Sequence, residues 1–326
     1  MGDLVYIGSC AGKFWALDWR SGEVRWSYDI TQDGDQLSFH GNPLVTDSLI
    51  LTGADGQGIG HLYAFDQRSG AVRWIYPDVR GYTSDLIRHG NHVYAASLTD
   101  ELICADITSG ELVWYFSDTT GSSRPFSSSP AIAGNRIFFG SRTGYVYALS
   151  ADSGHVIWSQ DVGALVSTAI VLGDDDLFMG TKAGYIYRLN QDDGRVLDTL
   201  ALGAPDSEER LGTIGNPLLA EDLLLVLWDG AKELVAIGQS DMRVQWRLPT
   251  ETEWSSYRPY HWHDYVLVGD QDGILNAVDP ASGEIVWSEE FEGTIRGIGS
   301  QDNVIFVGTL QGMVYAWDAG ADTEEK

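Results

Sequence analysis

The chain of 326 residues carries 47 aspartates and glutamates against 20 lysines and arginines, a formal net charge of −27. A surface this acidic repels nucleic acid, and no basic stripe interleaved with aromatic residues is present to overcome the repulsion. Hydrophobic residues make up 44% and aromatic residues 11%, and the acids are scattered along the chain, which excludes a disordered polymer.

Lysine occurs only at Lys13, Lys182, Lys232 and Lys326, and arginine takes the other basic positions. A dispersed acidic surface of this kind resembles that of halophilic proteins, where concentrated salt screens the self-repulsion. No apolar run is long enough for a membrane span, and the N-terminus lacks the basic and apolar regions of an export signal. The chain as given is therefore expected in the cytoplasm, and as an exported, periplasmic-type protein if an N-terminal segment is missing. Cys10 and Cys104 have no metal or redox spacing and are expected as buried free thiols.

In chain order, the first unit is a tight hairpin between Gly8 and Gly12, then Ala16 and Asp18, a turn closed by Gly22, and Trp26. The unit returns with Ala64, Cys104, Ala148, Arg188, Ala236, Ala277 and Ala316 in the small-residue position, at spacings of 39 to 48 residues. That period belongs to propeller blades or helical arrays, and the absence of long helical periodicity selects blades. Asp66, Asp106 and Asp279 repeat the role of Asp18, an aspartate that accepts backbone N–H groups of a turn. Trp74, Trp114, Trp158, Trp246 and Trp287 repeat Trp26, a large planar side chain suited to the wedge between blades.

Upstream of each hairpin a further short strand is read at 41–45, 84–88, 128–132, 167–171, 215–219, 257–261 and 296–300. With these as strands A, the hairpin as B and C, and the tryptophan strand as D, the chain holds seven A, eight B, eight C and seven D. The expected fold is all-β, an eight-bladed β-propeller of four-stranded antiparallel blades with the first and last blades incomplete. Residues 1–319 form one domain in this reading, and the acidic tail 320–326 frays.

The repeat, small-x-Asp-x-x-x-Gly-x-x-x-Trp after a Gly-x-x-x-Gly hairpin, resembles the quinoprotein repeat of pyrroloquinoline quinone (PQQ) enzymes. It is similar too to PQQ-like propellers such as the outer-membrane assembly lipoprotein, kinase-linked sensor domains and archaeal PQQ-repeat proteins. The resemblance covers nearly the whole chain and speaks for fold more than for activity. An active quinoprotein of this family implies a bound quinone, a calcium or lanthanide ion, a catalytic aspartate and commonly a vicinal disulfide. The chain has no Cys-Cys pair and little length for the insertions that build such a site.

The copies deviate most in blades five and six. Blade five has Arg188, Asn190 and Asp198 in the alanine, aspartate and tryptophan positions. Blade six has Trp228, Lys232, Gly238 and Met242 where other blades have glycine, glycine, aspartate and glycine, so its hairpins are expected to differ. Structural drift and a binding face both account for this pair.

Ligands of propellers gather at the mouth of the central channel, lined by the D-to-A and B-to-C connections and by strand A. On that reasoning the candidate ligand-binding residues are His40, Asn42, Asp85, Arg124, Ser127, Ser129, Thr168, Asn216, Arg258 and Arg296. The arginines Arg80, Arg124, Arg210, Arg258 and Arg296 lie in or beside D-to-A connections, where guanidinium groups suit an anionic ligand or acidic segment or pair with local carboxylates. Asp33-Gly-Asp35 and Asp270-Gln-Asp-Gly273 complete no EF-hand loop. His261 and His263 would share one face of a strand, without a third ligand to make a metal site.

No nucleophile with a base is evident, and the expected function is a non-catalytic binding or scaffold propeller. It would hold a protein segment or small molecule at the loop face, as a monomer and without a resident cofactor. The alternatives are a PQQ-binding sensor or dehydrogenase-like protein, with PQQ and calcium as cofactors, and an envelope protein-assembly factor.

Overall fold

The computed structural model describes residues 3–33, 38–39, 41–56, 60–78, 81–98, 101–118, 128–203, 215–250, 252–254 and 258–320. The chain is an eight-bladed β-propeller whose only described helix is the single 3-10 turn Ile30–Gln32. It divides into two compact units, residues 1–166 with blades one to four and residues 167–326 with blades five to eight.

Blades three to seven are each a four-stranded antiparallel sheet in simple sequence order, as in Ala131–Ala133, Arg136–Gly140, Tyr145–Ser150 and Val156–Asp161 of blade four. Blade two adds the short strand Ser38–Phe39 against its second strand. Among the described residues blade one begins with Leu4–Gly8 and blade eight ends with Val314–Asp318, each with three strands. The expected strands B, C and D are all present.

The innermost strands start later than the sequence patterns suggest in six blades: Leu44–Val45, Ile87–His89, Ala131–Ala133, Val171–Leu172, Leu218–Ala220 and Tyr260–Trp262. In four of these blades Pro43, Pro130, Pro217 or Pro259 precedes the first paired residue. Proline has no N–H to give to a ladder, so the segment ahead of it stays extended but unpaired.

Between blades two and three the core is built from the C-strand residues Leu62 and Ala64, the B-strand residues Val93 and Ala95, and Trp74. Sheet faces pack on each other in this way through both units, and the small residue of the repeat sits at the centre. Ala16, Ala64, Cys104, Ala148, Ala236 and Ala277 are all 0% exposed, which leaves no room for a larger side chain beside the tryptophan.

Candidate functional site

Within each unit the repeat residues lock neighbouring blades together. Asp18 Oδ1 accepts the backbone N–H groups of Arg20 and Ser21, and Asp66 Oδ1 accepts those of Arg68 and Ser69. Arg25 and Arg73, on the D strands of the same blades, pair with the other oxygen of Asp18 and Asp66 at 2.8 and 2.6 Å. The Arg25 bond, followed by the turn N–H groups, holds the Asp18 carboxyl at about 2, and the turn and Arg73 hold Asp66 well below the usual carboxylate range.

The turns of blades two, three, four and seven then seat the tryptophan of the preceding blade. Trp26, Trp74 and Trp114 donate their indole N–H to the carbonyls of Gln67, Ile107 and Ala151 at 3.0, 3.1 and 2.9 Å, and Trp246 donates to Pro280 at 2.9 Å. A Cβ on Gly70, Gly110, Gly154 or Gly283 would stand 2.5–2.6 Å from the ring. Only glycine admits that approach at these turns.

Blades five and six solve the same problem differently. Asp198, in the tryptophan position, is exposed, and Met242, in the glycine position of blade six, turns inward and is 4% exposed. Met242 packs with Ile186, Leu202, Val235 and Ile237, filling space that an indole fills elsewhere. Arg188, in place of the small residue, binds Asp176 and donates to the Ser240 carbonyl of the blade-six turn at 2.7 Å. The turn itself keeps its form, with Met242 at φ 50° and its N–H bonded to the Gly238 carbonyl, and Lys232 at φ 55° likewise stands in for glycine. The C–D turn thus keeps its conformation while side chains exchange roles, and the B–C hairpin differs as expected: Trp228 pairs with Glu233, whereas the equivalent Gly140 of blade four pairs with Val146, one residue further on. The exchanges on successive blades answer each other, a pattern visible only when positions are compared as pairs across blades.

The candidate mouth residues are used in the same way. In the first unit Asp85 accepts from the Asn42 backbone N–H at 2.9 Å and from its side-chain amide, and the Asp85 N–H donates to Ser129 Oγ at 3.1 Å. Three candidates are therefore joined, running from blade two to blade four. In the second unit the Ala169 N–H donates to Asn216 Oδ1 at 2.6 Å, the counterpart two repeats later of the Asp85–Ser129 bond. Thr168 is 0% exposed and takes the Gly180 N–H, so the position equivalent to Asp85 belongs to Ala169 and Thr168 supports the strand from behind. Arg258 and Arg296 are exposed at the start of the inner strands of blades seven and eight. Those strands are tied by Tyr260, whose hydroxyl takes the Ser300 N–H at 3.1 Å. His40, Arg124, Ser127, Arg80 and Arg210 lie outside the described residues.

Carboxylates after the D strands have phenol partners that the sequence did not single out. Asp33 Oδ2 accepts from Tyr28 at 2.6 Å and from Tyr63 at 3.0 Å. Tyr147, in the same repeat position as Tyr63, has its phenol pushed up to about 12 by burial, with Asp118 beside it. The signal for this pairing is the Tyr-Ala step at Tyr63-Ala64 and Tyr147-Ala148.

Cys104 is buried, which pushes its thiol up to about 11. Cys10 is exposed, contrary to expectation, because it lies in the hairpin after Gly8 rather than in a strand. His263 stands in a turn at φ 51° just past the strand Tyr260–Trp262, so it does not continue the alternation with His261. Among the described residues no group of three or more histidine, cysteine, aspartate and glutamate side chains is arranged to hold a metal ion. Asp85, the inner-strand carboxylate of the candidate set, is taken up by Asn42.

The family model described as outer membrane protein assembly factor BamB matches residues 1–116, 106–258 and 271–324. The chain belongs to this BamB family. Among solved structures, BamB from Moraxella catarrhalis superposes with TM-score 0.80 at 18% identity, covering 98% of this chain and 94% of that one. A europium-containing methanol dehydrogenase superposes with TM-score 0.71 at 11% identity over 97% of this chain and 80% of that one. Sqt1 of Saccharomyces cerevisiae gives TM-score 0.79 at 10% identity, covering 97% and 93%. At these identities the likeness is one of fold, shared by an assembly factor and an oxidoreductase. No curated protein sequence matches the chain. As a BamB-family propeller, the chain has no helix long and apolar enough to cross a membrane among its described residues.

Proposed function

We propose that this BamB-family propeller is a non-catalytic scaffold that holds a protein segment on the loops leading into its inner strands. The observation that supports this most is how the inner-strand polar groups are used: Asn42, Asp85, Ser129 and Asn216 bind between blades and stabilise the frame. The family description as an assembly factor supports a protein segment over a small ligand, with an envelope-assembly role as the second reading. In the second unit the residues assigned to the segment are Arg258 and Arg296, both exposed. A guanidinium reads carboxylates in a planar, two-bond geometry, so the segment is acidic. In the first unit the same role falls to His40, Arg124 and Ser127.

Binding of the whole chain to a panel of fluorescent acidic and basic peptides tests this. Acidic peptides are expected to bind, and Arg258→Glu with Arg296→Glu to weaken them about tenfold, the loss of roughly one charge-assisted contact. Equal binding of acidic and basic peptides, unchanged by the substitutions, would overturn the assignment.

A further inference from the structure

In blades one to seven the D strand is a sheet edge, paired on one side only with strand C among the described residues. Such an edge offers its outward N–H and C=O groups to any strand that meets it, and a charged side chain or a proline on it discourages that pairing. Six D strands carry a charged residue, Arg25, Arg73, Asp161, Asp198, Arg247 and Glu289 in chain order. The D strand of blade three, Leu112–Ser117, reads Leu-Val-Trp-Tyr-Phe-Ser and has neither a charge nor a proline.

Three side chains of this strand are exposed apolar groups: Leu112, Val113 and Tyr115 are 43%, 46% and 63% exposed. In blades one and two the position of Val113 holds Arg25 and Arg73, each paired with its turn aspartate, so blade three forgoes that cation. Its backbone is nevertheless held firmly from the opposite face. Trp114 donates to the Ala151 carbonyl at 2.9 Å, and the Phe116 ring lies 4.9 Å from that of Tyr147, both partners being in blade four. Val113 and Tyr115 alternate with these two side chains and share the other, open face. A strand laid along this edge meets a preformed backbone with an apolar pair beside it. Both ends of the edge are acidic: Glu111, exposed, precedes Leu112, and Glu101 lies opposite Ser117 across the ladder.

We propose that the outer edge of Leu112–Ser117 is a docking site for an extended segment of a basic partner protein, added to blade three as a fifth strand. Main-chain hydrogen bonds give affinity, alternate apolar side chains of the segment cover Val113 and Tyr115, and lysine or arginine at its ends faces Glu111 and Glu101. The net charge of −27 favours a basic partner over a second copy of this chain, whose own Glu111 and Glu101 would meet like charges at the edge. The edge is formed by an outermost strand, and the proposal does not depend on the reading given to the loop face.

The test uses the full chain and a fluorescent peptide, Lys-Lys-Val-Thr-Val-Thr-Val-Lys-Lys. Saturable one-to-one binding by fluorescence anisotropy is expected, with the amides of residues 112–117 gaining protection from hydrogen exchange. A peptide with glutamate for every lysine, or with proline for its central valine, should bind about tenfold or more weakly, which leaves the protein untouched. Val113→Arg with Tyr115→Lys in the chain changes only exposed side chains and should weaken the lysine peptide to the same degree. Val286→Arg, at the equivalent exposed position of blade seven, should leave it unchanged. Failure of the lysine peptide to bind, equal binding of the glutamate peptide, or binding indifferent to the blade-three substitutions would overturn the proposal. So would a chain that sediments as a dimer and becomes monomeric on Val113→Arg with Tyr115→Lys, because a second copy would then cover the edge.

Discussion

Trp114 of blade three lies against Gly154 of blade four so closely that a Cβ on the glycine would stand 2.6 Å from the ring. The indole N–H is bonded in the same turn, to the Ala151 carbonyl at 2.9 Å. One side chain thus fills the wedge between two sheets and satisfies its own polar atom there.

Removing either half of this lock should be costly. Trp114→Ala is expected to destabilise the chain by about 3–5 kcal/mol through the cavity it leaves, and Gly154→Ala by about 1–3 kcal/mol through overpacking at φ 68°. Denaturant unfolding of the two variants measures this; a Gly154→Ala protein as stable as the parent would refute the contact.

Asp198 and Met242 should behave as a coupled pair. Asp198→Trp alone drives an indole into Met242, and Met242→Gly alone leaves a cavity, so each is expected to destabilise. With Arg188→Ala restoring the small residue opposite position 198, the two together rebuild the lock of the other blades, and a double-mutant cycle in that background should show favourable coupling of about 1 kcal/mol or more. Additive losses would mean that the two positions are independent.

How far the sequence reveals this molecule follows from where its information is local. The hairpin glycines, Asp18 and its equivalents, and the tryptophans act within one blade or on the next turn, so spacing alone yields eight blades and their strand order. That Met242 fills the space left by Asp198 in the tryptophan position, with Arg188 bonded to the same turn, is not legible, because it is a pairing between positions 44 or more residues apart. Asn42, Asp85, Ser129 and Asn216, expected in strand A, lie in the extended segments just ahead of the inner strands. Their bonds to neighbouring blades required the geometry, since a polar side chain near a channel reads the same whether it faces a ligand or a neighbouring backbone. The misplacement of Thr168 by one residue has a related cause: side chains alternate along an extended segment, and a one-residue shift exchanges the two faces.

Acid should weaken the frame through the turn carboxylates. Asp18 has its pKa depressed in the folded chain to about 2, so its contribution is present above the unfolded value near about 4 and is lost as pH falls toward about 2. Asp18→Asn should keep the turn, as Asn190 does in blade five, while forfeiting the Arg25 pair. Melting temperatures between those pH values are expected to fall less steeply in the variant than in the parent, and identical slopes would contradict the assignment.

Salt should act in the opposite sense. With a net charge of −27, self-repulsion opposes compaction, and screening by salt relieves it. The melting temperature is expected to climb with KCl into the molar range; a melting temperature indifferent to KCl would exclude a halophilic surface.

The most direct measurement of the central claim is to titrate the chain with PQQ and calcium while recording the quinone absorbance and dye-linked oxidation of alcohols and sugars. A non-catalytic scaffold predicts neither a stoichiometric spectral change nor dye reduction above background. Stoichiometric quinone binding accompanied by turnover would contradict it and make the propeller an oxidoreductase.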